Sequence, residues 1–99
     1  MGRILRITLT EDVIYPLDLK MVGAGKIFIR NASAFDVRIG YTRIDVDSTS
    51  GVNYYTLIAG SERILDLSPS IGYLEQDQAM FWNSPDGDAV MEIWVANPL

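Results

Sequence analysis

The segment Asp45-Val46-Asp47-Ser48-Thr49-Ser50-Gly51 gathers more potential chemistry than any other stretch of the chain. Two carboxylates one residue apart, followed by hydroxyls and a glycine, resemble the start of a calcium-binding loop. The pattern fails at two places that matter. Its glycine stands at the seventh loop position, where the sharp turn needs the sixth, and Thr56 stands at the twelfth, where a bidentate glutamate closes the coordination sphere. A solvated loop is expected instead, with Asp45 and Asp47 able to hold at most a weak surface cation. The same run, in a chain of 99 residues, invites comparison with dimeric aspartic proteases of the retroviral type. Two extra residues separate Asp47 from Gly51, however, so the tight turn that pairs carboxylates across a dimer axis is not encoded. Gly25-Lys26 resembles the end of a phosphate-binding loop, but Lys20 takes the place of the leading glycine, Ile27 that of the Ser or Thr, and a strand pattern follows where a helix is required. Asn31-Ala32-Ser33 is a glycosylation acceptor by pattern only.

Two residue types are missing altogether. With no histidine and no cysteine, the chain lacks the usual general base near neutral pH, every imidazole or thiolate metal ligand, any Ser/His or Cys/His dyad, and any disulfide. Thirteen acidic side chains could in principle supply a glycosidase pair. Nearly all of them fall at turns or on outward strand positions, where the desolvation that raises a carboxyl pKa is hard to arrange. The expectation is a protein that is not an enzyme and uses no cofactor or metal.

Charge is distributed unevenly. The net formal charge is -5, yet the seven basic and six acidic residues of positions 1–50 nearly balance, while positions 51–99 hold Arg63 alone against seven acids. An acidic second half disfavours nucleic acid, whose phosphates need clustered Lys and Arg, and favours partners with a basic face. No apolar run approaches the ~18 residues of a spanning helix, so no membrane partner is expected. Charges within positions 1–10 break any signal-peptide core, which points to synthesis in the cytoplasm.

The elements that position these residues follow from an apolar period of two. Leu5, Ile7 and Leu9 alternate with Arg6, Thr8 and Thr10 in a first strand, although residues 1–10 could also serve as an arm. Val13, Tyr15, Leu17 and Leu19 suggest a second, which Pro16 confines to a sheet edge or bulge because proline donates nothing to the ladder. Ile27 and Ile29 oppose Lys26, Phe28 and Arg30, and Val37, Ile39 and Tyr41 mark a fourth strand. The polar run 45–53 is expected to be a mobile loop. Ala59-Gly60-Ser61-Glu62 has hairpin length, with a glycine suited to positive φ, and Ser84-Pro85-Asp86-Gly87 carries the turn chemistry of a last hairpin. About eight short strands in one domain predict an all-β antiparallel sandwich, jelly-roll-like, with a small barrel as the alternative.

Large aromatics do not fit neatly on inner faces. In the last strand Ala89, Met91, Ile93 and Val95 share one face, which leaves Trp94 on the other with Val90 and Glu92. Phe28 lies opposite Ile27 and Ile29, Tyr54 and Tyr55 point to opposite faces, and Trp82 alternates with Phe81. Three readings remain open: loops partly cover both faces or the inner and outer faces are reversed, the aromatics anchor a subunit interface, or they form a sugar-stacking platform. The interface candidates are Arg3, Arg6, Phe28, Arg30, Tyr54, Tyr55, Trp82 and Trp94. Trp94 and Phe28 lead them, and the expected result is a homo-oligomer, a dimer or trimer.

Three segments are familiar as a set: Lys26-Ile27-Phe28-Ile29-Arg30-Asn31, Asp36-Val37-Arg38-Ile39-Gly40-Tyr41, and Tyr54-Tyr55-Thr56-Leu57-Ile58-Ala59-Gly60 with Ile64-Leu65-Asp66-Leu67. They resemble small β-sandwich virion proteins of tailed bacteriophages, and the run from Met80 to Val95 is similar to the final hairpin of those proteins. The resemblance spans about residues 26 to 95. It implies a head decoration (cement) or accessory structural protein, oligomeric, bound to the major capsid protein on the outside of the virion after synthesis in the host cytoplasm. The alternative from another class is a carbohydrate-binding module of a phage tail or receptor-binding apparatus. A glycan binder should present two or three aromatics beside polar groups in a groove, whereas a cement protein should present a flatter apolar patch.

Overall fold

A computed structural model of the protein describes residues 3–18, 26–66 and 79–95. Within them lie β1 (Arg3–Leu9), β2 (Tyr15–Asp18), β3 (Lys26–Asn31), β4 (Val37–Gly40), β5 (Tyr55–Leu57), β6 (Glu62–Asp66), β7 (Ala79–Asn83) and β8 (Ala89–Val95), with a 3₁₀ turn at Ile44–Val46. The strands form two four-stranded sheets, ordered β1-β8-β3-β6 and β2-β7-β4-β5, in which every pairing is antiparallel. This is the all-β antiparallel sandwich that the alternation predicts, with the strand order of a jelly roll.

The inner faces are those the period of two selects. Ile7 and Leu9, Ile27 and Ile29, Val37 and Ile39, and Ala89, Met91, Ile93 and Val95 all lie in one buried cluster with Leu17, Leu57, Met80 and Trp82. Pro16 sits on β2, which among the described strands is an edge strand paired only with β7, so its missing N–H breaks no central ladder there. Of residues 1–10, expected as an arm or an edge strand, 3–9 form a strand at the edge of the described sheet, paired with β8 along its whole length. The Gly23-Ala24-Gly25 loop and the break at Ser68-Pro69-Ser70-Ile71-Gly72 lie outside the described residues.

Two expected hairpins are corners instead. β5 and β6 belong to different sheets, as do β7 and β8, and among the described strands only β4 and β5 are both consecutive and paired. In a sandwich a strand can bury its inner face by crossing to the facing sheet as well as by folding back, and turn chemistry does not choose between the two. The Ala59-Gly60-Ser61 bend docks on the end of β3: Gly60 N donates to Asn31 O at 2.9 Å and Asn31 N to Ser61 O at 3.0 Å. Gly60 has φ +77°, the left-handed conformation that favours glycine. At the other corner Ser84 Oγ donates to Gly87 O, and Phe35 lies so close over Gly87 that a Cβ there would fall 2.4 Å from its ring.

The β4–β5 connection folds back over the outer face of the second sheet. Val46 is fully buried, Asn83 Nδ2 donates to Val46 O at 2.8 Å, and Arg38 Nη1 donates to Asp47 O at 2.7 Å. The polar run expected to be a mobile loop is internally hydrogen-bonded. Asp47 Oδ2 accepts from the side chains and the backbone N–H groups of both Thr49 and Ser50. These bonds hold its carboxyl well below the usual aspartate range, the side-chain hydroxyls contributing most.

Candidate functional site

The first sheet turns its outer face to solvent, and its register lines up side chains from all four strands. Ile4 on β1 is paired with Trp94 on β8, Trp94 with Phe28 on β3, and Phe28 with Ile64 on β6. The four form one row perpendicular to the strands, and none is buried: Ile4 is 71% exposed, Trp94 51%, Phe28 38% and Ile64 54%. The Phe28 and Trp94 rings lie 5.2 Å apart between centroids, tilted by 34°, a packing geometry that makes the middle of the row rigid.

Two residues further along each strand runs a charged row. Arg6, Glu92, Arg30 and Glu62 are paired in that order across β1, β8, β3 and β6. Glu92 accepts a charge-assisted hydrogen bond from Arg6, and Arg30 Nη1 stands 3.6 Å from its other oxygen. The face therefore presents an apolar ridge beside a strip of alternating, mutually neutralised charge. Such a surface suits contact with another protein, since aromatic anchors supply the binding energy and flanking charges set the register.

A second feature lies at the open side of the sandwich, between the edge strands β5 and β6. A groove of about 500 Å³ is lined by Tyr41, Asn53, Tyr54, Tyr55, Arg63 and Ile64, with Ile39 and Met80 at its floor. Arg63 pairs with Ile29, which places it on the inner side of its edge strand, and its guanidinium lies 5.3 Å from the centre of the Tyr55 ring. Tyr54 is likewise covered on one face by Arg38, 4.2 Å from the ring centre.

Of the residues expected at an interface, Arg6, Phe28, Arg30 and Trp94 are brought together on the outer face of the first sheet. Arg3 pairs through its backbone with Val95, one position from the apolar row. Tyr54 and Tyr55 belong to the groove on the other side. Trp82 is no interface residue: it is 0% exposed, because the register sets it between Tyr15 and Ile39 with its side chain in the central core. Ile4, Ile64, Glu62 and Glu92 were not singled out by sequence reasoning. Alternation places each on an outward position, but only the strand order aligns them.

The described residues hold no group of three acidic side chains able to bind a metal ion, and Asp47 already spends its carboxylate on Thr49 and Ser50. None of their helices is long and apolar enough to cross a membrane.

No protein-family model matches the chain, and no curated protein matches it by sequence. Solved structures share its fold. A transcriptional regulator of the HTH_3 family from Vibrio cholerae is 14% identical with a TM-score of 0.56, over 99% of this chain and 44% of that one. A de novo designed double-stranded β-helix is 13% identical with a TM-score of 0.54, over 92% of this chain and 95% of the design. RmlC from Streptococcus suis, solved with dTDP-D-xylose, is 12% identical with a TM-score of 0.54, over 94% of this chain and 42% of that protein. The chain thus spans less than half the length of both natural proteins, and at these identities the likeness concerns the fold alone.

Proposed function

We propose that the chain is a structural protein of a tailed-bacteriophage virion, a capsid decoration protein that self-associates and clamps neighbouring subunits of the major capsid protein. The observation that carries this reading is the exposed row Ile4, Trp94, Phe28 and Ile64, a flat apolar ridge that no described residue buries. A soluble protein that aligns four large apolar side chains in this way gains by covering them. On the other side of the same sheet, Ile7, Leu9, Ile27, Ile29, Met91, Ile93 and Val95 pack into the buried hydrophobic cluster. The mechanism is mass action: a part that binds only the assembled lattice stabilises that lattice by its binding free energy.

Co-sedimentation with assembled heads and with free capsid subunits tests the proposal. Binding to heads that exceeds binding to subunits is expected, and Trp94→Glu should abolish it. Equal or absent binding to both would overturn the reading.

The groove favours a second reading, a carbohydrate-binding module. Tyr41, Tyr54 and Tyr55 stand there with Asn53 and Arg63, the mixture of aromatic and hydrogen-bonding groups that sugars require. It ranks behind the first because Arg38 and Arg63 already pack against one face of the Tyr54 and Tyr55 rings, which leaves fewer ring faces for a sugar to stack on. Retention on a glycan array that is lost on Tyr55→Ala would reverse the order.

A further inference from the structure

We infer that the outer face of the first sheet is a two-fold interface with a second copy of this chain, its axis running along the strands between β8 and β3. The inference rests on the self-association proposed above and specifies its geometry. It follows from the order of charges across the sheet. Reading from β1 to β6, the row Arg6, Glu92, Arg30, Glu62 alternates positive, negative, positive, negative. Face-to-face packing about an axis parallel to the strands reverses the order of strands in the second copy while keeping each row opposite itself. Reversal turns an alternating row of four into its complement. Arg6 then faces Glu62 of the second copy, and Glu92 faces Arg30 of the second copy, each contact occurring twice. The apolar row obeys the same operation, with Ile4 against Ile64 and Trp94 against Phe28. A row of like charges, or a pattern symmetric about its middle, would repel itself in this arrangement.

The side chains concerned are available for such contacts. Arg6 and Arg30 are 66% and 55% exposed, and Glu92 26%, so the pairs within one chain leave donors free to reach across. Packed sheets lie ~10 Å apart and cross at about 30°, a rotation small enough for arginine side chains to bridge over a face four strands wide. Size sets the strength. Four strands of five to seven residues cover roughly 19 by 20 Å, on the order of 400 Å² per copy, which is about half of what a standard stable interface buries on each partner. The dimer should accordingly be weak, dissociating in the micromolar range or above.

Sedimentation velocity on the intact chain across a concentration series tests this. Arg6→Glu opposes like charges at both Arg6–Glu62 contacts, and Glu62→Arg does the same with the opposite sign, so each variant alone should lose about a hundredfold in association or more. An equimolar mixture of the two restores both contacts in the mixed dimer and should recover wild-type association. Repulsion created within either chain persists in the mixture, so recovery reports only on the contacts between copies. A second measurement exploits the absence of cysteine from the chain. Mixed Ile4→Cys and Ile64→Cys variants should be joined by a thiol-specific cross-linker about 8 Å long, which spans facing sheets ~10 Å apart where a direct disulfide cannot, and Ile4→Cys alone, three strand spacings from its own copy, should not. If the wild-type protein associates and Trp94→Glu disperses it, yet the mixture recovers nothing and Ile4→Cys cross-links to itself, the two-fold arrangement is overturned while the apolar row stands as a contact surface. A wild-type protein that stays monomeric at high concentration overturns the proposed self-association and this geometry with it.

Discussion

Gly87 is glycine because of a ring, and a mutant cycle can prove it. Its φ is not in the left-handed region, so the backbone there accepts an L side chain. What excludes one is Phe35: an added Cβ would lie 2.4, 2.5 and 2.7 Å from three atoms of its ring. The Gly87→Ala methyl therefore displaces the ring, which is already 38% exposed and can swing outward. The cost is bounded by the packing Phe35 would lose. A phenylalanine that buries ~60% of roughly 200 Å² stands to lose on the order of 120 Å², or about 3 kcal/mol at full ejection. Partial rotation and a denatured state that is itself compact reduce this to about 2 kcal/mol, or roughly 10 °C in Tm for a domain of this size. In a Phe35→Ala background the methyl has room, and the same substitution should cost less than ~0.5 kcal/mol, a coupling of more than ~1 kcal/mol between two residues in contact. Urea unfolding of the four proteins, followed by far-ultraviolet circular dichroism, measures the cycle. Equal costs of Gly87→Ala in the two backgrounds would refute the argument and return the glycine to a purely backbone role.

Gly60 presents the opposite case. Nothing lies within 4 Å of its hypothetical Cβ and its φ is +77°, so Gly60→Ala should cost ~1 kcal/mol through backbone strain alone, Gly60→Asn less, and no second-site truncation should rescue either; rescue would refute this. Asn31 is fully buried, donates to Phe35 O at 2.7 Å and Leu57 O at 3.0 Å, and accepts from Ser33. Asn31→Ala removes both buried bonds, to Phe35 O and Leu57 O, and should lower stability by ~2–3 kcal/mol in thermal unfolding, so a loss under ~0.5 kcal/mol would show the bonds to be unimportant. The Asp47 carboxyl should titrate well below its ordinary value of 3.8. Because the folded value is the lower one, the stability it lends is complete above pH ~4 and is lost only as pH falls through the depressed value. Carbon-detected NMR titration reads this directly. An Asp47 midpoint near 3.8, or one unchanged by removing the hydroxyls of Thr49 and Ser50, would contradict the bonding seen.

Much of the fold was legible in the sequence because burial imposes its own period. Ile27 and Ile29 alternating with Lys26, Phe28 and Arg30 admit one inner face, and that face is buried. Ala89 to Val95 behaves in the same way, with Trp94 outward. Pro16 announced a sheet edge or a bulge, of which the structure shows the edge, and Gly60 a positive φ, since each follows from the covalent structure of a single residue. Trp82 was misplaced because Phe81 and Trp82 are both large enough to fill a core. A strand whose two faces are both covered, one by the other sheet and one by the loop carrying Val46, shows no polar side to settle its phase.

The sequence by itself determined that each strand has an inner and an outer side, that the chain bends at Ala59-Gly60 and Ser84-Pro85, and that it carries no imidazole or thiol chemistry. Only the tertiary structure decided which strands meet. Alternation and turn propensity are local, each fixed by a few neighbouring residues. Neither distinguishes a hairpin from a corner, because crossing to the opposite sheet buries the same side chains. The candidate site is a property of that global choice. Ile4, Phe28, Ile64 and Trp94 are scattered over 91 positions of sequence, and they become one row because β8 lies between β1 and β3, with β6 beyond.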